Sequence, residues 1–310
     1  MRSLSFLFVA LLATAGALEA SQEAETALPA PGSLQQIKDF TGPTNASLYI
    51  YVPPKLPPSP ALLVAVHHCA GNAPGFFRST PYKALADAHG FIVAYPHSYH
   101  SGGCWDVSSR ATLKHGGGGD SASIAAMVGW VLKAHPATDK SRVYLTGTSS
   151  GAMMTNVLAA TYPELFAAAV VYSGVPAGCF SMPVATASSA EAPPWNSTCS
   201  QGKLISSVQH WAQIAKDMYP GYSGPRPRMR IIHGGTDTAL LPPNYNETIK
   251  QWSGVFGYDW TKPVSVKQDT PKHGYSTTSW GPKLEGVWAA KEGHTVPYMG
   301  EADMKFFGLG

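Results

Sequence analysis

Apolar residues along the chain fall into short unbroken runs, separated by stretches where they recur every three or four positions. Residues 61–67 (ALLVAVH) and 91–95 (FIVAY) are nearly continuous apolar runs of strand length, the second stopped by Pro96. Residues 143–146, 168–173 and 229–233 repeat the pattern, and residues 47–52 read as a strand ended by Pro53-Pro54. Between them, residues 79–89 predict a helix with Ser79 or Thr80 as N-cap and Gly90 past its end. Residues 120–135 predict a longer helix, with Ile124, Met127, Val128 and Val131 at helical steps. Further helices are expected over residues 152–161, 204–217 and 246–256, and strands over 264–268 and 284–290. Continuous apolar strands are those buried on both faces. Their alternation with helices predicts an α/β fold, a largely parallel sheet with helices on both sides. No repeat, linker or shift of composition divides the chain, so one domain is expected over residues 35–310.

The N-terminus sets the compartment. Arg2 precedes an uncharged run over residues 4–17 that closes on the small residues Ala15, Gly16 and Ala17, with Ala20 beyond. This is the order of a secretory signal peptide, expected over residues 1–20 and followed by a loose leader over 21–34. The run is short of the ~20 apolar residues of a membrane span, so no membrane partner is expected. In an oxidising compartment Cys69, Cys104, Cys179 and Cys199 are expected to form two disulfides, preferably Cys69–Cys104 and Cys179–Cys199. Asn45, Asn196 and Asn246 each open an N-x-[ST] sequon and are candidate glycan sites.

Of the 310 residues 44% are hydrophobic and 13% charged, with 31 Gly and 26 Pro. That is enough apolar material for a core, too little charge for a coiled coil, and a promise of many turns. The net charge of +3 is too small for a nucleic-acid binder. The densest basic run, Arg226, Arg228 and Arg230, alternates at the approach to a strand.

Candidate chemistry begins at Gly147-Thr148-Ser149-Ser150-Gly151, a G-x-S-x-G motif between a strand and an Ala/Met-rich helix. A tight turn there pushes Ser149 to the carboxyl end of the sheet, and its glycines make room for neighbouring backbone. The Ser150 N–H, opening the helix, can donate to a developing oxyanion. A serine needs a base and a carboxylate to orient it, in the order Ser…Asp…His. Asp237 follows the strand 229–233, and His294 follows the strand 284–290. His273, Asp259 and Asp269 are rivals, while His233 precedes the acid and is expected to be structural. A second oxyanion donor is expected from the Cys69 N–H, in a loop clamped by its disulfide. A metal reading of His67-His68-Cys69 is weaker, because consecutive strand residues face opposite ways. His115-Gly116-Gly117-Gly118-Gly119 looks like an HGGG oxyanion signature, but no strand feeds it. A flexible loop leading to an N-capping Asp120 is expected there.

Taken together, HHCAGN, SGGCWDV, GDSASIAAMV, VYLTGTSSGAMMTNVLAATYPELFAAAVVYSG, IIHGGTD and EGHTVP resemble the secreted fungal acetylxylan esterases of carbohydrate esterase family one. These are relatives of feruloyl esterases and polyhydroxybutyrate depolymerases. The resemblance runs from about residue 35 to the end. It implies an α/β-hydrolase fold, no cofactor, acetylated xylan or a related wall polysaccharide as substrate, and Ser149, Asp237 and His294 as nucleophile, acid and base. This sequence reads His67-His68-Cys69 where many members carry His-Gly-Cys, which narrows the approach to the oxyanion loop. Trp105 and Trp195, beside cysteines in expected loops, are candidate sugar contacts. No carbohydrate-binding module is expected, and the enzyme is expected to be a monomer. Feruloyl esterase, polyester depolymerase and non-catalytic sugar-binding homologue remain the alternatives.

Overall fold

The computed structural model describes residues 27–182 and 191–310; the expected signal peptide and the start of the leader lie outside the described residues. Among the described residues ten strands form one sheet. In chain order they are β1 (Leu34–Ile37), β2 (Ser47–Tyr51), β3 (Ala61–Val66), β4 (Phe91–His97), β5 (Val143–Thr148), β6 (Ala168–Tyr172), β7 (Arg228–Gly234), β8 (Ser265–Gln268), β9 (Tyr275–Gly281) and β10 (Leu284–Ala289). Their spatial order is β1-β2-β4-β3-β5-β6-β7-β10-β9-β8. The six strands from β4 to β10 pair in parallel, and the outer two at each end pair antiparallel.

Successive side chains of a strand point to opposite faces, and β3 shows it residue by residue. Leu62, Val64 and Val66 join one core; Ala61, Leu63 and Ala65 join the other. The first core is closed by α3 (Asp120–Ala134), α4 (Ser150–Thr161), α6 (Val208–Asp217) and α7 (Pro243–Phe256). The second is closed by α1 (Ala73–Ser79), α2 (Tyr82–His89) and α8 (Glu301–Phe307). A one-turn helix, α5 (Ser197–Ser200), carries Cys199. Helices therefore cover both faces, as the apolar runs require.

Several expected boundaries move. The helix expected from Ser79 starts at Tyr82 after Pro81, and α1 precedes it, capped by Asn72, whose side chain accepts the Gly75 N–H at 2.8 Å. Leu34, the last residue assigned to the leader, already pairs with Tyr51 in β1 and β2. The helix expected over 204–217 begins at Val208, where the Ser207 hydroxyl accepts the His210 N–H. Strands β1 and β9 were not among the expected elements.

The glycine run before α3 is not a loose loop. The His115 ring lies flat on Tyr219 at 3.6 Å and its Nδ1 donates to Thr161 O, while a Cβ at Gly117 or Gly119 would overlap Ala111 O or Thr112. Asp120 is not the N-cap either; that position is Gly119. Asp120 lies buried in the first turn, where its carboxylate accepts from His100 Nε2 and the Asp106 N–H, each at 3.0 Å.

Candidate active site

The carboxyl ends of β5, β7 and β10 lie along one edge of the sheet, and each releases one of the three expected residues there. Strand β5 ends at Thr148 and α4 begins at Ser150, so Ser149 makes the whole turn. Its backbone has φ 56° and ψ −121°, a conformation that an L residue adopts only under strain. The turn is tight because Gly147 lies against Gly151 O, and Gly151 against the carbonyls of Val66 and His67 at the end of β3. A Cβ at either glycine would collide with that backbone. The motif is thus a packing requirement that leaves the serine hydroxyl at the edge.

Asp237 follows β7 on a turn whose N–H bonds to Gly234 O at 3.3 Å. Gly234 and Gly235 lie against the carbonyls of Gly293, Glu292 and Ala290, where no Cβ fits. The neighbouring Thr236 donates both its N–H and its hydroxyl to Glu292 O at 2.9 Å. The turn carrying the acid is therefore bonded onto the loop carrying His294.

The three side chains meet in a line. The Ser149 hydroxyl donates to His294 Nε2 at 2.9 Å, and His294 Nδ1 donates to Asp237 Oδ2 at 2.8 Å. Asp237 is buried, and its other oxygen accepts the N–H groups of Ala239 and Leu240 at 2.8 and 2.9 Å. Burial raises the pKa of this carboxyl. Hydrogen bonds from His233, His294 and the Leu240 amide outweigh burial and hold it well below the usual carboxylate range. His233 is itself fully buried and donates through Nε2 to Leu240 O at 2.8 Å, the structural place expected of it. The rivals fall elsewhere: His273 is 97% exposed and pairs with Asp269 at 2.9 Å, and Asp259 caps an exposed turn.

The Cys69 loop follows β3, beside β5 in the sheet. Cys69 is bonded to Cys104, and Cys179 to Cys199, the pairing preferred from the sequence. The loop is held further by the Ala70 N–H on Gly102 O at 2.6 Å and the Gly71 N–H on His68 O at 3.1 Å. Among the described residues no protein group accepts the N–H of Cys69 or of Ser150. With its sulfur in a disulfide, Cys69 offers no thiolate to a metal.

The part His67 plays was not read from the sequence, where it was weighed only as a weak metal ligand. His67 is fully buried, donates through Nδ1 to His68 O at 2.8 Å and accepts the Ser98 N–H on Nε2 at 3.1 Å. Burial pushes its pKa down to about 4, against the bond to the His68 carbonyl. It stays neutral and fixes the backbone leading into Cys69. Only its place at the end of an apolar strand hinted at burial. Trp105 belongs to the same cluster, 1% exposed, its indole N–H on His67 O at 2.9 Å. It is a core residue, not the sugar contact expected: the indole needed an acceptor, and the strand-end carbonyl supplied one. Trp195 is 53% exposed and meets Phe180 edge-on. Asn45 and Asn246 are exposed, whereas the Asn196 amide donates to Cys179 O at 3.3 Å.

A family model described as esterase PHB depolymerase matches residues 46–254, which span both the Cys69 loop and the serine turn. The chain belongs to the esterase PHB depolymerase family. Within the family it is 53% identical to a probable acetylxylan esterase A of Aspergillus clavatus, over 100% of this chain and 99% of that protein. It is 56% identical to the acetylxylan esterase A of Aspergillus ficuum, over 90% of each. The solved acetyl xylan esterase of Aspergillus awamori superposes with a TM-score of 0.87 at 55% identity, covering 90% of this chain and 100% of that one. An S-formylglutathione hydrolase of Staphylococcus aureus shares the fold at TM-score 0.51 and 15% identity, covering 89% of this chain and 98% of that one. The fold is that of the α/β-hydrolases.

Proposed function

We propose that this protein is a secreted serine esterase that removes acetyl groups from xylan, with Ser149 as nucleophile, His294 as base and Asp237 as the carboxylate that orients it. The observation that carries the reading is the unbroken hydrogen-bonded line from Ser149 Oγ through His294 to Asp237. The substrate follows from the relatives, which match nearly the whole chain and bear the acetylxylan name. The two disulfides and the charged-apolar-small N-terminus suit an extracellular enzyme.

Ser149 Oγ attacks the acetyl carbonyl carbon while its proton passes to His294 Nε2. The imidazolium is stabilised by Asp237, whose ionised form the surrounding hydrogen bonds preserve. Negative charge gathers on the carbonyl oxygen, where the N–H groups of Cys69 and Ser150 receive it. As the tetrahedral intermediate collapses, the bond to the sugar oxygen breaks, and that oxygen takes the proton from His294. The acetyl group is now on Ser149. Water, deprotonated by His294, attacks it, and acetate leaves as the serine recovers its proton. The exposed ring of Trp195 is a candidate face for a xylose unit.

The test measures acetate released from acetylated xylan and ferulate from a feruloylated ester, side by side. The expected result is acetate release by the native enzyme and a loss of several orders of magnitude in Ser149→Ala, which keeps its fold. Ferulate as the main product, or undiminished turnover in Ser149→Ala, overturns the reading.

A further inference from the structure

A cleft of about 600 Å³ opens at the sheet edge opposite the triad. Arg226 lies just before β7 and Lys283 just before β10, whereas Asp237 and His294 follow the same two strands. Six residues of β10 at ~3.3 Å each put the cleft roughly 20 Å from the chemistry. It takes no part in the mechanism above.

The cleft is built from aromatic faces and cations. On one wall Tyr222 stacks on Tyr219 at 4.9 Å, and Tyr219 stacks on His115, so three rings form one slab. The glycine run before α3 therefore has a role here: it delivers His115 to the back of that slab. Tyr222 Oη donates to Pro225 O at 2.7 Å, which pins the ring, and the Arg226 guanidinium lies 5.3 Å from its centre. On the other wall Phe256 and Tyr258 are 5.8 Å apart, with Lys283 Nζ 6.0 Å from the Phe256 ring. All four lining rings are partly exposed. Three cations, Lys216, Arg226 and Lys283, line the cleft against one carboxylate, Asp217, which accepts from Gln213 at 2.6 Å. Glu164 acts electrostatically on Tyr222 and Arg226 but is not part of the lining.

Partly exposed rings fit the apolar faces of pyranose sugars, and a surplus of cations fits carboxylates. We propose that this cleft is a second carbohydrate-binding site that holds a xylan segment bearing uronic acid groups. It keeps the polymer on the enzyme while acetyl esters elsewhere on the chain reach Ser149. The choice of xylan rests on the function proposed above; the aromatic and cationic lining stands without it.

The test is affinity electrophoresis in gels containing deacetylated glucuronoxylan or neutral linear xylan, which offer no ester to cleave. Turnover of a small soluble acetyl ester is measured separately. The native protein is expected to be retarded more by the acidic polymer, and salt is expected to weaken that retardation. Tyr222→Ala should weaken binding to both polymers by about five-fold, the loss of ~1 kcal/mol of ring contact. Lys283→Gln, a surface change that leaves the rings in place, should weaken binding to the acidic polymer alone. Both variants should turn over the small ester as the native enzyme does. No retardation of the native protein, or equal retardation of the native protein and both variants, overturns the proposal. Equal binding of the two polymers overturns its uronic acid part. A protein that binds glucuronoxylan yet cleaves no acetyl ester would refute the esterase reading and leave the cleft assignment standing.

Discussion

Asp237 lies between two imidazoles, and only one of them reaches the serine. His294 offers Nδ1 to the carboxylate and Nε2 to Ser149, while His233 has its Nε2 on Leu240 O and 3.3 Å from Asp237 Oδ2. The acid's charge thus selects one tautomer of His294 and leaves the lone pair of Nε2 facing the hydroxyl. Asp237→Asn keeps the shape and removes that selection. It should lower kcat by roughly 10³–10⁴-fold with little change in KM, as measured with a soluble acetyl ester. An unchanged kcat would mean that His294 is oriented by something else. The order of the three residues was legible because each follows a strand that the apolar pattern marks. The exposure of a tryptophan was not. Trp105 and Trp195 both stand next to a cysteine or close to one, and only tertiary packing buries the first and exposes the second.

Among the elements, short polar ones escaped the sequence. Strand β9 reads YSTTSWG, with no apolar alternation, and it forms because β10 presents an open edge to it. Helix α1 holds Pro74-Gly75, a pair that ordinarily marks a turn; yet proline is favoured in a first helical turn, where its missing N–H has no partner to lose. The parallel strands were legible because both their faces are buried. Docking of one loop on another was only half legible. Gly234-Gly235 signalled a turn, but not that its backbone would lie against residues 290–293. Gly234→Ala should therefore force the acid turn away from the base loop. A Tm drop matching about 1–3 kcal/mol of overpacking, together with reduced kcat, is the expected result. An active enzyme of native Tm would show that the contact carries no constraint. The bridge closing the Cys69 loop is a second element-scale restraint, spanning 35 residues. Replacing Cys69 and Cys104 by alanine should cost about 3–4 kcal/mol by chain entropy, read as a shift of the urea midpoint. Loss of kcat beyond that of the unfolded fraction would locate part of its effect at the oxyanion.

For the whole molecule, two buried groups make stability depend on acidity in opposite senses. His67 has a folded pKa of about 4 against an ordinary 6.5, because its burial penalises the cation. Between those values the unfolded chain takes up a proton that the folded one refuses. Its contribution is therefore complete above pH 6.5 and is lost as pH falls to about 4, roughly 3 kcal/mol in all. Asp303 does the reverse. Burial raises its pKa despite hydrogen bonds from Tyr172 and Arg230, so the folded chain keeps a proton that the unfolded one has released. Its contribution is complete below the ordinary carboxylate value and fades as pH rises through the folded one. Asp303 anchors α8, and Tyr172 accepts the Met299 N–H at 2.8 Å in the segment joining α8 to His294, so this network ties the terminal helix to the base loop. His97, also lowered by burial and 5.9 Å from His67, adds a smaller share in the same sense as His67. The native Tm should then fall between pH 6.5 and 4. His67→Gln still offers an acceptor to the Ser98 N–H and cannot take up a proton, so its Tm should start lower and change less across that range. Asp303→Asn should make the fall steeper, since the opposing group is gone. Tm measured at half-unit pH steps on the three proteins decides it: parallel curves for the native enzyme and His67→Gln would assign acid sensitivity to other groups, whereas a flattened His67→Gln curve places it on the imidazole that braces the Cys69 loop.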